Sequence, residues 1–432
     1  MNIDKLLLVF SCKEEEVTSS TSASVSALSC SSASFSATPS ANAAFAGTAT
    51  VQYTGGNGAA YAAGSSVASA ITGTPSASGT ATFAISVGGQ SCTLSLSVNA
   101  ASTGGGTTST AGWNVDTDMA NIVAMANAFK ASLSSSQATS LQYDYTLAQA
   151  KLWSNLPQSL YRNRVGLASS TFSTAQWTAF YNLLKASTGT GANEGNEEYT
   201  GIIDADDYLL ANGGGSGYGK GNYYIAFLGT PSATGLWCLQ IGGHHGTNIF
   251  TYNNGKMTGG TPSFRSTEPY PTWTSTNTGK LVQPLVQETA ALSNFLKSLS
   301  AAELTTAKRA AAQNDIIVGP QKDGTFPTTK TGIKASSLTQ AKKDLLLAAI
   351  KTYVDDLDDK AAAAVLAKYK AELDDTYVSY VGGTTMAEKG DYILIDGPSV
   401  WIEWSMQSGI VIRTGVHPHS VWRDRKADYG GN

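Results

Sequence analysis

The four histidines of this 432-residue chain occur as two close pairs, His244-His245 and His417-Pro418-His419. Neutral imidazole is the commonest metal ligand in proteins, and a metal must collect three or four donors at about 2.0–2.1 Å. The grouping therefore predicts a metal centre. General acid or base catalysis by histidine without a metal is the alternative chemistry.

The local backbone limits which imidazoles can share one ion. A residue before proline is extended, and residues i and i+2 of an extended chain point to the same side, so His417 and His419 can aim at one point. Neighbours on a strand face opposite ways, so either one of His244 and His245 joins them, or Gly242-Gly243 bends the chain so that both do. We expect three ligands and an open position, four at most, with ring nitrogens about 3–4.5 Å apart.

Nitrogen donors in an oxidising compartment favour a divalent transition metal, copper or zinc first and iron third. Zinc would support hydrolysis of a substrate, whereas copper would support its oxidation. Glu268 is a candidate proton carrier or ligand, with an exposed loop acid as the alternative. Glu403 interrupts the apolar run 400–404, where a carboxylate is usually paired or working, and is the second catalytic candidate. Arg423 and Asp424 are expected to orient His417 and His419 without binding the metal themselves.

Helix and strand patterns that could position these residues begin near residue 113. Serine followed three residues later by Gln or Glu predicts four helix starts, at Ser134, Ser173, Ser300 and Ser337. Apolar residues at three-and-four spacing predict long helices over 338–357 and 360–380. Strands are expected at 222–228, 236–241, 247–252, 392–395, 400–406 and 409–416. This mixture predicts an α+β main domain with antiparallel strands and helical hairpins.

The segment from Val17 to Val115 contains no Asp, Glu, Lys, Arg or His. Apolar and polar side chains alternate at 48–53, 79–87 and 91–98, which predicts a small all-β, sandwich-like domain. Because uncharged strands lack the edge charges that prevent sheet association, self-assembly into a fibre is a real alternative. The predicted divisions are 1–16, a signal and acidic tag; 17–100, the β module; 101–112, a flexible linker; and 113–432, the metal-binding domain.

The chain begins with a short apolar stretch, Leu6–Phe10, followed by Cys12 and the acidic run Lys13–Glu16. This resembles a bacterial lipoprotein signal with the export tag of Bacteroidetes-like bacteria, which implies lipidation of Cys12 and a place on the outer membrane or cell surface. In that compartment Cys30 and Cys92 are the expected disulfide partners, with Cys238 a buried free thiol.

Composition excludes several classes of protein. The net charge of −4 gives no basic field for nucleic acid or anionic membranes. No apolar run approaches the roughly 18 residues of a transmembrane segment. Only 14% of the residues are Asp, Glu, Lys or Arg, against about 25% in ordinary soluble domains. This profile favours an exported protein.

The chain from about residue 116 to 432 resembles the bacterial domain-of-unknown-function 3500 family, which has no established activity. The resemblance rests on Gln142–Thr146, Trp153–Pro157, Asn222–Gly229, Gln240–His245, Thr261–Phe264 with Glu268-Pro269, Asp396–Glu403, His417–His419, Trp422–Asp424 and Asp428–Gly431. Members commonly continue with an apolar residue after the double histidine, whereas this chain has Gly246-Thr247. The amino-terminal module resembles repeat units that form stalks in Bacteroidetes surface proteins.

These observations predict an exported, surface-anchored protein with a histidine metal centre, acting as a metal-dependent hydrolytic or oxidative enzyme. The alternative is a non-catalytic adhesin or extracellular filament subunit. A chain beginning at Asp116 is expected to fold and bind metal, because all four histidines lie beyond the linker.

Overall fold

The computed structural model describes the backbone of residues 27–35, 45–55, 66–73, 79–87, 90–98, 112–311 and 313–431. The chain divides into two compact units, Met1–Gly106 and Thr107–Asn432. All four histidines and all eight tryptophans belong to the second unit.

The described backbone of the first unit forms five strands. They are β1 (Ala27–Phe35), β2 (Phe45–Gly55), β3 (Ser66–Gly73), β4 (Gly79–Val87) and β5 (Gln90–Val98). Of these, β2, β4 and β5 match the three alternating segments, and β1 and β3 were not predicted. β1, β2 and β3 pair antiparallel in that order, and β4 pairs with β5. Cys12 and the side chain of Cys30 lie outside the described residues. Lipidation, the disulfide to Cys92 and the sandwich therefore stay predictions.

The second unit contains helices and strands throughout. Its helices are α1 (Met119–Ala131), α2 (Ser135–Leu141), α3 (Leu147–Ala150), α4 (Thr174–Ser187), α5 (Gly195–Leu209), α6 (Val286–Ser298), α7 (Ala301–Ala307), α8 (Gln340–Val354) and α9 (Asp359–Ala371). Its strands are β6 (Gln142–Tyr143), β7 (Leu167–Ala168), β8 (Tyr224–Leu228), β9 (Trp237–Gly242), β10 (Gly246–Asn253), β11 (Lys256–Gly259), β12 (Ser263–Ser266), β13 (Trp273–Thr274), β14 (Leu281–Val282), β15 (Ile333–Lys334), β16 (Tyr377–Val381), β17 (Tyr392–Asp396), β18 (Val400–Ser408) and β19 (Val416–Asp424).

Twelve of these strands form one sheet, in the order β15-β16-β17-β18-β19-β12-β10-β9-β8-β6, with β11 beside β10 and β7 beside β8. Among the described strands only the pairing of β6 with β8 is parallel. A mixed α+β domain with a large, mostly antiparallel sheet is therefore confirmed. No helix of the described residues is long and apolar enough to cross a membrane.

Three of the four predicted capping boxes are confirmed. Ser134, Ser173 and Ser300 each accept the N3 amide, and the N3 side chain returns to the cap amide. The fourth is wrong, because α8 has Thr339 as its N-cap and the Ser337 hydroxyl donates to the Lys334 carbonyl. The helix predicted over 360–380 ends earlier than expected, because residues 377–381 pair with β17 as a strand. The strand predicted over 409–416 is wrong, because residues 409–415 form the loop between β18 and β19.

The two faces of the sheet have different cores. Neighbouring residues of β19 show this, since Trp422 belongs to the large core shared with the helices, whereas Val421 belongs to a smaller core with Trp153 and Phe264. Because side chains alternate along a strand, His417 and His419 lie on the side of Val421. The histidines therefore occupy the face away from the large helical core.

Candidate metal centre

His417 and His419 lie at the start of β19, where His417 and Pro418 have a neighbouring strand on one side only and His419 is the first residue with strands on both sides. Pro418 is opposite Met406 of β18, while the pairing of β19 with β12 ends at His419 and Ser266. A proline has no N–H for a ladder, so it fits the position just beyond the last residue of β12. The predicted arrangement of the two imidazoles on one side of an extended chain is present.

His245 reaches this strand from the turn between β9 and β10. The turn is closed by the Gly243 amide, which donates to the Gly246 carbonyl at 2.8 Å. His245 has φ of 62°, a left-handed conformation that costs a non-glycine residue about 1–2 kcal/mol. Its carbonyl accepts the Ser266 amide at 2.8 Å. Since Ser266 is directly opposite His419, this bond places His245 beside the second pair.

The turn between β9 and β10 has no room for a side chain at Gly243. A Cβ on Gly243 would lie 2.5 Å from the Tyr223 ring, closer than side-chain atoms can pack. The Tyr223 hydroxyl donates to the His244 carbonyl at 2.6 Å, and the buried Arg164 guanidinium donates to the Gly243 carbonyl at 3.3 Å. Position 243 therefore has room only for glycine, and buried side chains hold the turn. The left-handed residue of the turn is His245, and the bend at Gly242-Gly243 that would bring both histidines to the second pair is not what the structure has.

Three imidazoles converge. The Nε2 atoms of His417 and His419 are 3.3 Å apart, and one ring nitrogen each of His245, His417 and His419 lies within 4.8 Å of the others. Donors at about 2.0–2.1 Å from a tetrahedral metal are about 3.3–3.4 Å apart. The closest pair already has this spacing, and the cluster could hold a divalent metal.

The protonation state suits metal binding. Burial lowers the pKa of His245 well below its usual value, and the neighbouring histidines lower it further. Burial, followed by the charges of His419 and His244, lowers the pKa of His417 to about 3. Both rings are therefore neutral near pH 7, as metal ligands must be.

Asp315 orients His419, and no sequence pattern indicated this residue. Its Oδ1 lies 2.9 Å from His419 Nδ1, so a proton on Nδ1 leaves Nε2 bare and facing His417. Burial alone would raise the pKa of Asp315, but the hydrogen bond and charge of His419 outweigh it and the pKa is lowered. Two imidazole nitrogens 3.3 Å apart need a proton or a metal between them.

His244 is oriented differently and is not a member of the three-histidine cluster. Its Nδ1 lies 2.6 Å from Oδ1 of Asp206 on α5, and both residues are buried. Of the two alternatives that the sequence left open, the structure has the three-histidine arrangement. Asp206 was also absent from the predicted site, because its contact with His244 spans 38 residues.

Glu268 lies just after β12 and is buried rather than exposed. Its Oε1 accepts three consecutive amides, those of Ile410, Val411 and Ile412, at 2.6–2.8 Å. Its Oε2 is buried and has no hydrogen-bond partner in the described part of the chain. The three amides fix the carboxylate and leave one oxygen able to accept a proton. The loop that supplies them leads directly into His417.

Tyr218 packs against the histidine turn. Its ring meets His244 edge-on, with centroids 4.9 Å apart. Burial raises the pKa of Tyr218, and the charges of Glu268 and Asp206 raise it further. Tyr218 thus contacts the histidine turn and is influenced by the charge of Glu268.

Glu403 has a structural role rather than the catalytic role that was the second candidate. It is buried, and its two oxygens accept the Ile317 and Val318 amides, the Tyr392 hydroxyl and the Trp401 indole. Burial raises its pKa against these hydrogen bonds. With both oxygens engaged, this carboxylate holds the loop that carries Asp315 and has no free oxygen for catalysis.

Arg423 and Asp424 bind residues other than the histidines. Arg423 pairs with Asp323 and, at 2.9 Å, with Asp428. Asp424 accepts the Trp113 indole at 2.8 Å and the Tyr369 hydroxyl at 2.9 Å on the helical side. The expected orienting role belongs to Asp315, because these two side chains sit farther along β19.

Comparison with known proteins gives one match. Residues 116–431 match the family described as "Protein of unknown function (DUF3500)". No curated protein and no solved structure shows a significant match. The matched residues include all four histidines, Asp206, Glu268 and Asp315.

Proposed function

Because the chain belongs to the DUF3500 family, whose function is unknown, its activity has to be inferred from its site, and we propose that it is a metal-dependent enzyme. His245, His417 and His419 are the proposed ligands. The observation that carries the proposal is the 3.3 Å separation of His417 Nε2 and His419 Nε2, with a third buried imidazole within 4.8 Å. Three imidazole nitrogen donors fit zinc or copper best, with iron third.

A bound zinc would act as a Lewis acid and lower the pKa of a water molecule to about 7. Side chains of the protein would orient the ligands and accept a proton. Asp315 keeps the lone pair of His419 turned toward the cluster, and His419 is the least buried of the three ligands, so substrate would enter on its side. Glu268 would accept a proton at Oε2 while three amides hold Oε1. This arrangement favours hydrolysis, and native copper would make the reaction an oxidation instead.

The proposal extends to the location of the protein. The apolar stretch, Cys12 and the acidic tag support export and a lipid anchor at the cell surface. The uncharged module at residues 17–100 supports a stalk that carries the enzyme away from the membrane. It equally supports the rival function, an adhesin or filament subunit, because its strands carry no charge to prevent association.

Metal analysis of untagged protein tests the enzyme proposal. We expect about one zinc or copper per chain after dialysis. His245→Ala, His417→Ala and His419→Ala should each lose it while the thermal unfolding midpoint of the metal-free protein changes little. The control is Gln407→Ala, since Gln407 is opposite His417 in β18 and is not a proposed ligand. Wild-type protein without bound metal after growth with zinc and copper, or full binding by all three histidine variants, would refute the metal centre.

A further inference from the structure

His244 is buried beside the centre without belonging to its ligands, and hydrogen bonds hold both its ring and its carbonyl. Its Nδ1 faces Asp206 at 2.6 Å, and its carbonyl accepts the Tyr223 hydroxyl. Asp206 is itself fixed, because its Oδ2 accepts the Gly219 amide at 3.2 Å. Side chain and backbone of His244 are thus held from two directions.

The fixed ring lies against a proposed ligand. The imidazoles of His244 and His245 are stacked, with centroids 3.6 Å apart and planes inclined by 28°. Tyr218 meets His244 edge-on. His245 sits on a left-handed backbone, so its ring direction depends on what packs against it.

On the premise of the proposed metal centre, we infer that Asp206 and His244 form a brace that orients the third ligand, His245. Asp206 fixes the plane of His244, and His244 fixes the plane of His245 by stacking. Asp206 is then a positioning residue two steps from the metal, comparable to Asp315, which contacts His419 directly. Carboxylates that orient ligands in this way change metal affinity about 10–100-fold when they are replaced.

Adjacent aspartates of α5 supply a matched control. Asp206 and Asp207 both bind the following loop, Asp206 at the Gly219 amide and Asp207 at the Lys220 amide. Asp207 pairs with the Lys220 ammonium at 3.0 Å, whereas Asp206 faces His244. A role limited to holding the loop would make Asp206→Asn and Asp207→Asn equivalent.

Cobalt(II) bound to the full chain provides the test, because its visible spectrum reports coordination geometry and its dissociation constant is measured by competition with a chelator. We expect Asp206→Asn to weaken cobalt binding about 10–100-fold and to change the spectrum. Asp207→Asn should keep the wild-type affinity and spectrum. His244→Phe keeps a stacked ring without the Asp206 bond, and should bind more tightly than His244→Ala but more weakly than wild type.

The outcomes separate the two proposals. Wild-type protein that binds no cobalt would refute the metal centre and the brace with it. Wild-type protein that binds cobalt, with Asp206→Asn equal to wild type or to Asp207→Asn, would overturn the brace alone. Loss far beyond 100-fold in His244→Phe would make His244 a ligand and also overturn it. If Asp206→Asn gives no folded protein, the cobalt affinity of His244→Phe decides the question. An affinity of His244→Phe equal to that of wild type would then refute the brace.

Discussion

A buried acid cluster in the second unit should make a contribution to stability that is lost as pH rises. Arg265 of β12 pairs with Glu198 at 2.9 Å and with Asp356, and Glu288 of α6 lies beside Glu198. All four side chains are buried. One guanidinium cannot neutralise three carboxylates in a dry interior, so at least one carboxyl must hold a proton.

The pKa shifts give the direction and size of the effect. Burial raises the pKa of Glu198 to about 7, against the opposing charge of Arg265. Burial and the charge of Glu198 raise the pKa of Glu288 well above its usual value. Above about pH 4.5 the unfolded chain has lost protons that the folded chain keeps. The contribution of this cluster to the free energy of unfolding therefore decreases with rising pH, by about 1.4 kcal/mol per pH unit for each retained proton, until the folded-state pKa is passed. His245 and His417, whose pKa values are lowered, contribute in the opposite direction up to about pH 6.5, so the cluster is measured by comparing a variant with wild type.

Glu288→Gln tests this directly. The amide keeps the size and a hydrogen-bond donor but binds no titrating proton, so the slope of stability against pH should be more positive than that of wild type by about 1.4 kcal/mol per unit. The assay is urea unfolding from pH 5 to 9 in EDTA, followed by tryptophan fluorescence, because all eight tryptophans lie in the second unit. Glu388→Gln, at an exposed acid, is the control. Equal slopes for wild type and Glu288→Gln would refute the retained proton.

Three further outcomes are expected. Glu268→Gln should keep its metal but lose about 100-fold or more in turnover of any hydrolysed substrate, as for a general base; undiminished turnover in a panel of ester, amide, glycoside and phosphate substrates would exclude that role. A chain beginning at Asp116 should be less stable than one beginning at Thr107 by about 3–5 kcal/mol, because it lacks Trp113, which stacks on Trp422; equal urea midpoints would contradict this. In the native host, mass spectrometry should find an acyl chain on Cys12, and its absence from membrane-fractionated protein would remove the anchor.

The packing of Trp113 also corrects an expectation from composition. The charge-free segment ends at Val115, which suggested that everything needed for folding begins at Asp116. Trp113 is nevertheless buried, and its indole donates to Asp424 at 2.8 Å across 311 residues. Composition marks where charge begins, whereas the domain begins where side chains start to pack.

Short-range patterns in the sequence determined much of this protein. The His-Pro-His spacing fixed two imidazoles on one side of β19, and hydroxyls three residues before Gln or Glu fixed three helix starts. Each depends on contacts within a few residues, where backbone geometry leaves few options.

Only the tertiary structure decided which histidines meet and what holds them. The strand order β9-β10-β12-β19 brings His245 to His419, and Asp315 reaches His419 from 104 residues away. Glu403 was an expected catalytic residue, but it holds the loop that carries Asp315, because backbone amides and two aromatic donors occupy its oxygens. Such contacts depend on the pairing of distant strands and on loops packed over them, and no local spacing in the chain records them.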